Sequence, residues 1–324
     1  MPAVNLGATT FEIPENAVRV LLTGYGPTAR HPQNPSWLAV APLNNVILPL
    51  DMDPPSPDRM QIVVDVEHPN GFPSNDPQHI HISALQIPPT YDDAFDCVTA
   101  LHARPPIIPP TNPPSTKIVP PPENGYDFIL HIGLAGRGPF RIERLGHKTG
   151  YRMKDSSNQY APIIEFLPEP SALEPSQAEM LDQMRANLAI VGPVSPIDTT
   201  VDHPVRGFGK GYESFAEDLH TAIDVEHLVY AMKEQGIEIY SSMDAGHCVS
   251  DYTYYCSMAE SRRASSRHDK GAQTKVLFMH CCPLGQPFVT GDVTETIRKI
   301  ILWVCRSDPI RATTLHVKGS PPSV

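Results

Sequence analysis

Apolar residues along the chain fall into short runs separated by amphipathic and polar stretches. Short apolar runs closed by turn-forming residues are typical of buried strands in an α/β sheet. The predicted strands cover 18–24, 60–66, 81–88, 127–134, 237–241 and 276–280. The predicted helices cover 90–103, 224–235, 249–263 and 292–306. Strands that alternate with helices predict a three-layer α/β/α domain built on a mainly parallel, twisted sheet.

Three segments depart from this pattern. Residues 105–122 contain nine prolines, which block helices and central strands, so we expect an extended surface loop that is an inert linker rather than an SH3-type ligand. Residues 152–215 are polar, with scattered Pro and Gly, and predict a surface insertion with one short helix near 176–189. We therefore expect a single α/β domain over 1–307, followed by a loose tail at 308–324.

Composition and charge narrow the functional classes. The net charge of −11 argues against nucleic acid as a partner, because phosphate binding needs a basic surface. No apolar stretch approaches the about 18 residues of a membrane span, and the N-terminus has no readable secretory signal. The six cysteines form no CxxC pair, so we expect no disulfide framework and a cytoplasmic location. The expected oligomeric state is a monomer.

Residues suited to chemistry follow four of the predicted strands. In parallel α/β sheets ligands bind at the carboxyl ends of the strands, so we expect these segments to converge on one edge. The segments are 23–37, 133–151, 242–255 and 280–288. Their glycines are expected to serve tight turns, since the full GxGxxG spacing and the P-loop lysine are missing.

A metal site has little support from spacing. His247, Cys248, His280 and Cys282 are conceivable ligands, but none of their spacings is of the CxxC or HxxxH type. We therefore expect no metal and no cofactor.

Taken together, the four segments resemble the motif blocks of the pyroglutamyl peptidase I family, cytosolic cysteine peptidases that remove N-terminal pyroglutamate. Residues 23–27 (TGYGP) and 34–37 (NPSW) match the family's first loop, and GLAG…ER matches the block that ends in the catalytic glutamate, here Glu143. DAGHCVSDYTYY matches the nucleophile block, and FMHCCPLGQ matches the block with the catalytic histidine, here His280. The blocks occur in family order over about residues 18–290, and GHKTGYRMKD is similar to the longer eukaryotic-type members.

The resemblance implies a phosphorylase/hydrolase-like α/β fold and a Cys-His-Glu triad. A thiolate at a helix start is favoured by the helix dipole and a nearby imidazolium, and the carboxylate holds the imidazole in the productive tautomer. The resemblance also implies a set of substrate-binding residues: Tyr25, Thr28, Asn34, Leu134, Cys248 and Val249.

The departures from the family pattern concern the nucleophile and the pocket. When the blocks are aligned without gaps, Ser250 stands at the nucleophile position. Cys248 lies two residues earlier, so on a helix its side chain is expected to point about 200° away from that of Ser250. Thr28 replaces the family's pocket phenylalanine, and Ala29-Arg30 replaces the usual Gly-Gly. One residue is also missing before Glu143 relative to the usual spacing.

Two functions from different classes remain open. One is a hydrolase with Ser250 as nucleophile, His280 as base and Glu143 as orienting acid, acting on a peptide with N-terminal pyroglutamate or on a related small amide. The other is a catalytically impaired family member that acts as a binding or interaction protein. A small-molecule phosphorylase of similar fold would not explain the DAG and NPSW blocks.

Overall fold

The computed structural model describes residues 12–50, 79–164, 204–267 and 273–307. Its strands are β1 (Val18–Tyr25), β2 (Ile47–Pro49), β3 (His79–Ile87), β4 (Phe128–Leu134), β5 (Phe140–Glu143), β6 (Leu145–His147), β7 (Asp218–His220), β8 (Ile239–Ser242) and β9 (Lys275–Cys281). Its α-helices are α1 (Pro35–Val40), α2 (Tyr91–Leu101), α3 (Val225–Glu234), α4 (Val249–Arg267) and α5 (Thr290–Ser307), and a 3-10 turn follows α1 at Ala41–Leu43.

Seven strands form the central sheet in the order β2-β3-β1-β4-β9-β5-β8. The four middle strands β3, β1, β4 and β9 are parallel. β5 runs antiparallel to β9, and β8 runs parallel to β5, so this edge of the sheet is reversed. β2 adds an antiparallel strand at the other edge, and β6 pairs with β7 in a separate two-stranded sheet. The predicted mainly parallel sheet is confirmed.

The sheet buries both of its faces, which explains why its strands are almost continuously apolar. Alternate residues of each strand point to opposite faces. On one face, residues such as Leu22, Leu130 and Met279 pack in a core with α1, α3 and α5. On the other face, Leu21 and Phe278 belong to a second core with α2 and α4. Helices on both faces of one sheet confirm the predicted three-layer architecture.

Most predicted elements are present with boundaries shifted by a few residues. The strand predicted at 60–66, the helix near 176–189 and the tail 308–324 lie outside the described residues. Residues 105–122 carry no helix or strand, as predicted for a proline-rich loop. The prediction missed α1, β2, β5, β6 and β7 because elements of three to six residues are too short to show a period.

Helix α4 is polar in sequence and yet largely buried, because its side chains find specific partners. Tyr254 donates to the carbonyl of Glu143 at 3.0 Å, and the Ser257 hydroxyl lies 2.8 Å from Nε2 of His102. Ser261 donates to the carbonyl of Thr274. Buried polar groups that are hydrogen-bonded cost little, so this helix is held in one rotational setting. No helix in the described ranges is both long and apolar enough to cross a membrane.

Two buried histidines give the fold a stability that depends on pH. Burial lowers the pKa of His102 and of His131 to about 3, from the ordinary value of 6.5. Below pH 6.5 the unfolded chain binds protons at these residues and the folded chain does not. Their contribution to stability is therefore present above about pH 6.5 and is lost as the pH falls toward 3.

We expect His102→Gln to weaken this pH dependence. Glutamine keeps a polar group that can bond Ser257 but does not titrate, so the slope of unfolding free energy between pH 6 and 4 should fall by up to about 1.4 kcal/mol per pH unit. Urea unfolding at several pH values measures the slope, with exposed His220→Gln as the matched control. A slope in His102→Gln equal to that of wild type would contradict the burial argument.

Candidate active site

Glu143 and His280 are brought together by the reversed strand β5. In the β5–β9 ladder Glu143 lies opposite Phe278, and Arg141 lies opposite His280. Glu143 and His280 are therefore diagonal neighbours on one face of the sheet, within reach of long side chains. Nδ1 of His280 lies 2.7 Å from Oε1 of Glu143, and both side chains are buried.

The partner of Nδ1 determines which imidazole nitrogen can act as a base. An ionised carboxylate only accepts hydrogen bonds, so Nδ1 carries the proton in the neutral ring and Nε2 keeps its lone pair. Arg141 adds a positive charge, with its Nε 3.9 Å from the same carboxylate oxygen. Tyr254 holds the backbone carbonyl of Glu143, so the acid is fixed at both its main chain and its side chain.

Ser250 lies beside this pair, above the neighbouring strand β4. Gly133 of β4 pairs in parallel register with His280, so the two residues face the same side of the sheet. A Cβ built on Gly133 would lie 3.0 Å from Oγ of Ser250 and 2.7 Å from Cζ of Phe278. The Ser250 hydroxyl therefore occupies the space that a side chain at 133 would fill, on the same face as the imidazole.

One expectation about strand direction is wrong. The sequence interpretation placed the end of the strand at 237–241 on the same sheet edge as the other strand ends. β8 instead runs opposite to β9, because it pairs with the reversed strand β5, and it ends beside Glu143. Residues 243–248 then lead from β8 to the start of α4, where Ser250 lies.

The expectation that Cys248 points away from Ser250 is also wrong. The Cys248 thiol donates to the carbonyl of Ala245 at 3.7 Å, and the Ser250 hydroxyl and the backbone amides of Ser250 and Asp251 are near enough to lower its pKa. Cys248 immediately precedes the first residue of α4, and side chains at that position fold back over the first helical turn. Burial raises the pKa of the thiol despite these bonds, so Cys248 is a neutral thiol at neutral pH.

Tyr25 and Val249 join the first strand to the start of α4. The Tyr25 hydroxyl donates to Oγ1 of Thr253 at 2.8 Å and lies 3.3 Å from the carbonyl oxygen of Val249. Burial raises the pKa of Tyr25, so the phenol stays neutral and acts as a donor. Tyr25 therefore fixes the first turn of the helix that carries Ser250.

Asn34 and Thr28 make their bonds inside the loop after β1. Asn34 caps α1 by accepting from the Ser36 amide at 3.1 Å, and its own amide donates to the carbonyl of Gly26 at 3.0 Å. Thr28 accepts from the His31 amide at 3.1 Å. Both residues shape the loop, whereas the half-buried Leu134 ends β4 opposite Cys281.

A cavity of about 950 Å³ lies elsewhere on the face covered by α2 and α4. The residues that line this cavity include Phe95, Lys148, Phe208, Tyr212 and Tyr252. Glu143, Ser250 and His280 are not among its lining residues. The candidate site is thus separate from this cavity.

Sequence reasoning missed a second polar group beside Ser250. His147, Asp244, His247 and Asp251 each direct a possible ligand atom into one small region. His247 and Asp251 are four residues apart, but His147 is 104 residues from Asp251, so only the fold could bring it there. Of the conceivable ligands named from sequence, His247 alone belongs to this group.

No family model matches the chain. Mouse pyroglutamyl-peptidase 1 is 22% identical over 283 residues, and human pyroglutamyl-peptidase 1 is 23% identical over the same length; each match covers 87% of both chains. The crystal structure of pyroglutamyl peptidase I from Bacillus amyloliquefaciens matches with a TM-score of 0.51 and 18% identity, over 90% of this chain and 98% of that one. Pyrrolidone carboxyl peptidase from Pyrococcus furiosus also gives 0.51, with 14% identity, over 89% and 99%.

The solved structures share the layered α/β fold that the strands and helices form here. At these identities they bear on the fold alone. The curated relatives confirm the resemblance to pyroglutamyl peptidase I. Because they are mammalian, they also agree with the prediction of a longer eukaryotic-type member.

We expect Gly133→Ala to disturb the site and to cost stability. The new methyl group would approach the fully buried ring of Phe278 to 2.7 Å and Ser250 to 3.0 Å, and a packed ring has no room to yield. Overpacking of this kind costs about 1–3 kcal/mol in unfolding free energy, measurable by urea denaturation. Gly136→Ala is the matched control, because its Cβ would meet nothing within 4 Å. Equal effects of the two variants would refute the close packing at Gly133.

Proposed function

We propose that this protein is a pyroglutamyl-peptidase-like hydrolase that removes N-terminal pyroglutamate from peptides or cleaves a related small amide. The observation that supports this most is the buried hydrogen bond between Glu143 and His280, with the Ser250 hydroxyl over the adjacent Gly133. The names of the curated relatives supply the substrate class.

In the proposed reaction Oγ of Ser250 attacks the carbonyl carbon of the scissile amide. Nε2 of His280 takes the hydroxyl proton, and Glu143 stabilises the imidazolium that forms. His280 then passes that proton to the leaving amine, which departs and leaves an ester on Ser250. Water, activated by the same imidazole, hydrolyses the ester and restores the serine.

The start of α4 supports the negative charge that develops on the carbonyl oxygen. The first amides of a helix have no partners within the helix, and the helix dipole places partial positive charge there. Charge stabilisation of this kind is a large part of the rate enhancement in acyl transfer.

A serine at this position needs the acid–base pair more than a cysteine would. An alcohol is far less acidic than a thiol, so it must lose its proton to the base as it attacks. The Glu143–His280 bond is buried and pre-formed, which suits this demand. The residues that we propose to surround the substrate are Tyr25, Thr28, Asn34, Leu134, Cys248 and Val249.

Two variants test the nucleophile on a pyroglutamyl-amide reporter. We expect Ser250→Ala to lower kcat/KM by at least about 10³-fold, since the attacking oxygen is removed. Cys248→Ala removes the neighbouring thiol but leaves the attacking oxygen, so it should lower kcat/KM by far less than Ser250→Ala does. Loss of activity in Cys248→Ala with retention in Ser250→Ala would make Cys248 the nucleophile instead.

A catalytically impaired binding protein is the second candidate, favoured by the serine at the position where the family has cysteine. Ser250→Cys distinguishes the two functions. If wild type is inactive and Ser250→Cys is active, the chain is a peptidase scaffold that has lost turnover. Calorimetric titration of inactive wild type with a pyroglutamyl amide then measures whether it still binds this ligand.

We expect Glu143→Gln to lower kcat with little change in KM. The amide keeps the shape of the side chain but can donate to Nδ1, which favours the tautomer with its proton on Nε2, and the loss should be about 10²–10⁴-fold. Steady-state kinetics measure both constants, and circular dichroism checks that the fold is kept. An unchanged kcat in folded Glu143→Gln would exclude the proposed role of the carboxylate.

A further inference from the structure

Two histidines and two aspartates meet at the start of α4, and we call them the His–Asp cluster: His147, Asp244, His247 and Asp251. Each contributes one potential ligand atom, and these four atoms all lie within 4.8 Å of one another. His147 comes from β6, Asp244 and His247 from the turn after β8, and Asp251 from the first turn of α4. The cluster lies next to Ser250 in sequence but contains none of the proposed catalytic groups.

The distances between ligand atoms in the His–Asp cluster lie on both sides of the ligand–ligand distance in a tetrahedral metal site. Nδ1 of His147 is 2.8 Å from Oδ2 of Asp251, and Nδ1 of His247 is 3.9 Å from the same oxygen. Nδ1 of His247 is 3.4 Å from Oδ1 of Asp244. Ligands about 2.05 Å from a zinc ion at tetrahedral angles lie about 3.3 Å apart. Because no two of the four atoms are more than 4.8 Å apart, shifts of up to about one ångström would bring them to bonding positions around one ion.

The buried carboxylate of the cluster is held in place by the backbone. The amide of His147 donates to Oδ1 of Asp251 at 2.9 Å, and the amide of His247 donates to Oδ2 at 3.1 Å. Ligating carboxylates in metal sites are oriented by hydrogen bonds of this kind. Asp244, by contrast, is exposed, so the cluster has one open side through which an ion can enter.

The two imidazoles are stacked on each other, so one ring has to rotate for both Nδ1 lone pairs to point at a single ion. Their ring centroids are 4.2 Å apart, with 25° between the planes. His247 adopts a φ of 46°, which is uncommon outside glycine, asparagine and aspartate. A Cβ on Gly150 would lie 2.7 Å from Cδ2 of His247, so the glycine leaves the space that this ring occupies.

We propose that the His–Asp cluster binds a single divalent cation of the zinc class, through Nδ1 of His147 and of His247 and one carboxylate oxygen each of Asp244 and Asp251. Two imidazoles with two carboxylates favour zinc over calcium or magnesium, which prefer oxygen alone. Binding displaces the proton that lies between His147 and Asp251, because a ligating nitrogen must present its lone pair. The proposal does not depend on the proposed reaction.

A bound ion would join β6, the turn after β8 and the first turn of α4. These three segments already meet through hydrogen bonds to Asp251 and through the stacked imidazoles of His147 and His247, and an ion would add direct bonds between them. An ion that binds the folded chain and not the unfolded one raises the midpoint of thermal unfolding, and the rise grows with the logarithm of the free ion concentration above its Kd.

Zinc titration of the full chain, freed of metal with a chelator, tests the proposal. We expect one equivalent of zinc to bind with micromolar or tighter affinity at pH 7.5, and the unfolding midpoint to rise. His247→Asn and Asp244→Asn should each weaken binding by at least about 10-fold. Asparagine tolerates the positive φ at 247 and keeps the acceptor that bonds the Gly246 amide at 244, so both variants should fold.

His227→Asn is the matched control. His227 also lies 2.7 Å from an aspartate, Asp224, but within the described ranges no third ligand is grouped with this exposed pair, so zinc affinity should stay at the wild-type value. Cobalt gives an independent readout, since a four-coordinate ion absorbs in the visible range.

Two results would overturn the proposal. One is the absence of stoichiometric zinc binding to folded wild type, or a preference for calcium over zinc. The other is unchanged zinc affinity in both His247→Asn and Asp244→Asn, which would place the ion elsewhere, for example on the free cysteines.

Discussion

A carboxylate that has no contact with water needs a charged or strongly donating partner, and for Glu143 that partner is His280. The rest of the site depends on this bond. It requires β5 to run against β9, so that acid and imidazole become diagonal neighbours on one face. It also sets the tautomer of the ring and leaves the lone pair on Nε2.

Helix α4 provides the other half of the site, and its position is determined by polar contacts more than by an apolar stripe. Its side chains bond in four directions. Tyr254 bonds to β5 and Ser257 to the end of α2. Ser261 bonds to the start of β9 and Asp251 to β6. Bonds in so many directions cannot be kept if the helix rotates or slides. Contacts that α4 makes outside the candidate site therefore fix the position of the Ser250 hydroxyl.

Long apolar runs made the fold predictable, since buried parallel strands and amphipathic helices leave a clear period in sequence. The motif blocks also indicated Glu143, Ser250 and His280 as candidates. Sequence did not reveal β5, because four residues carry no period, and it therefore missed the reversed edge of the sheet. Cys248 was misjudged because a side chain just before a helix follows neither helical nor strand geometry. His147 and Asp251 could be paired only by the fold.

The order of these residues along the chain bears on how the protein assembles. Glu143 precedes its partner by 137 residues, and α4 and β9 are both made after it. During synthesis from the N-terminus, the carboxylate has Arg141 nearby but neither its imidazole partner nor strand β9, so it stays hydrated until the chain has been made as far as His280. β5 therefore cannot settle into the sheet early. Bringing Glu143 and His280 together closes a loop of 137 residues, and the entropic cost of this closure is offset only when β5 pairs with β9. The candidate site is thus among the last parts of the molecule to form.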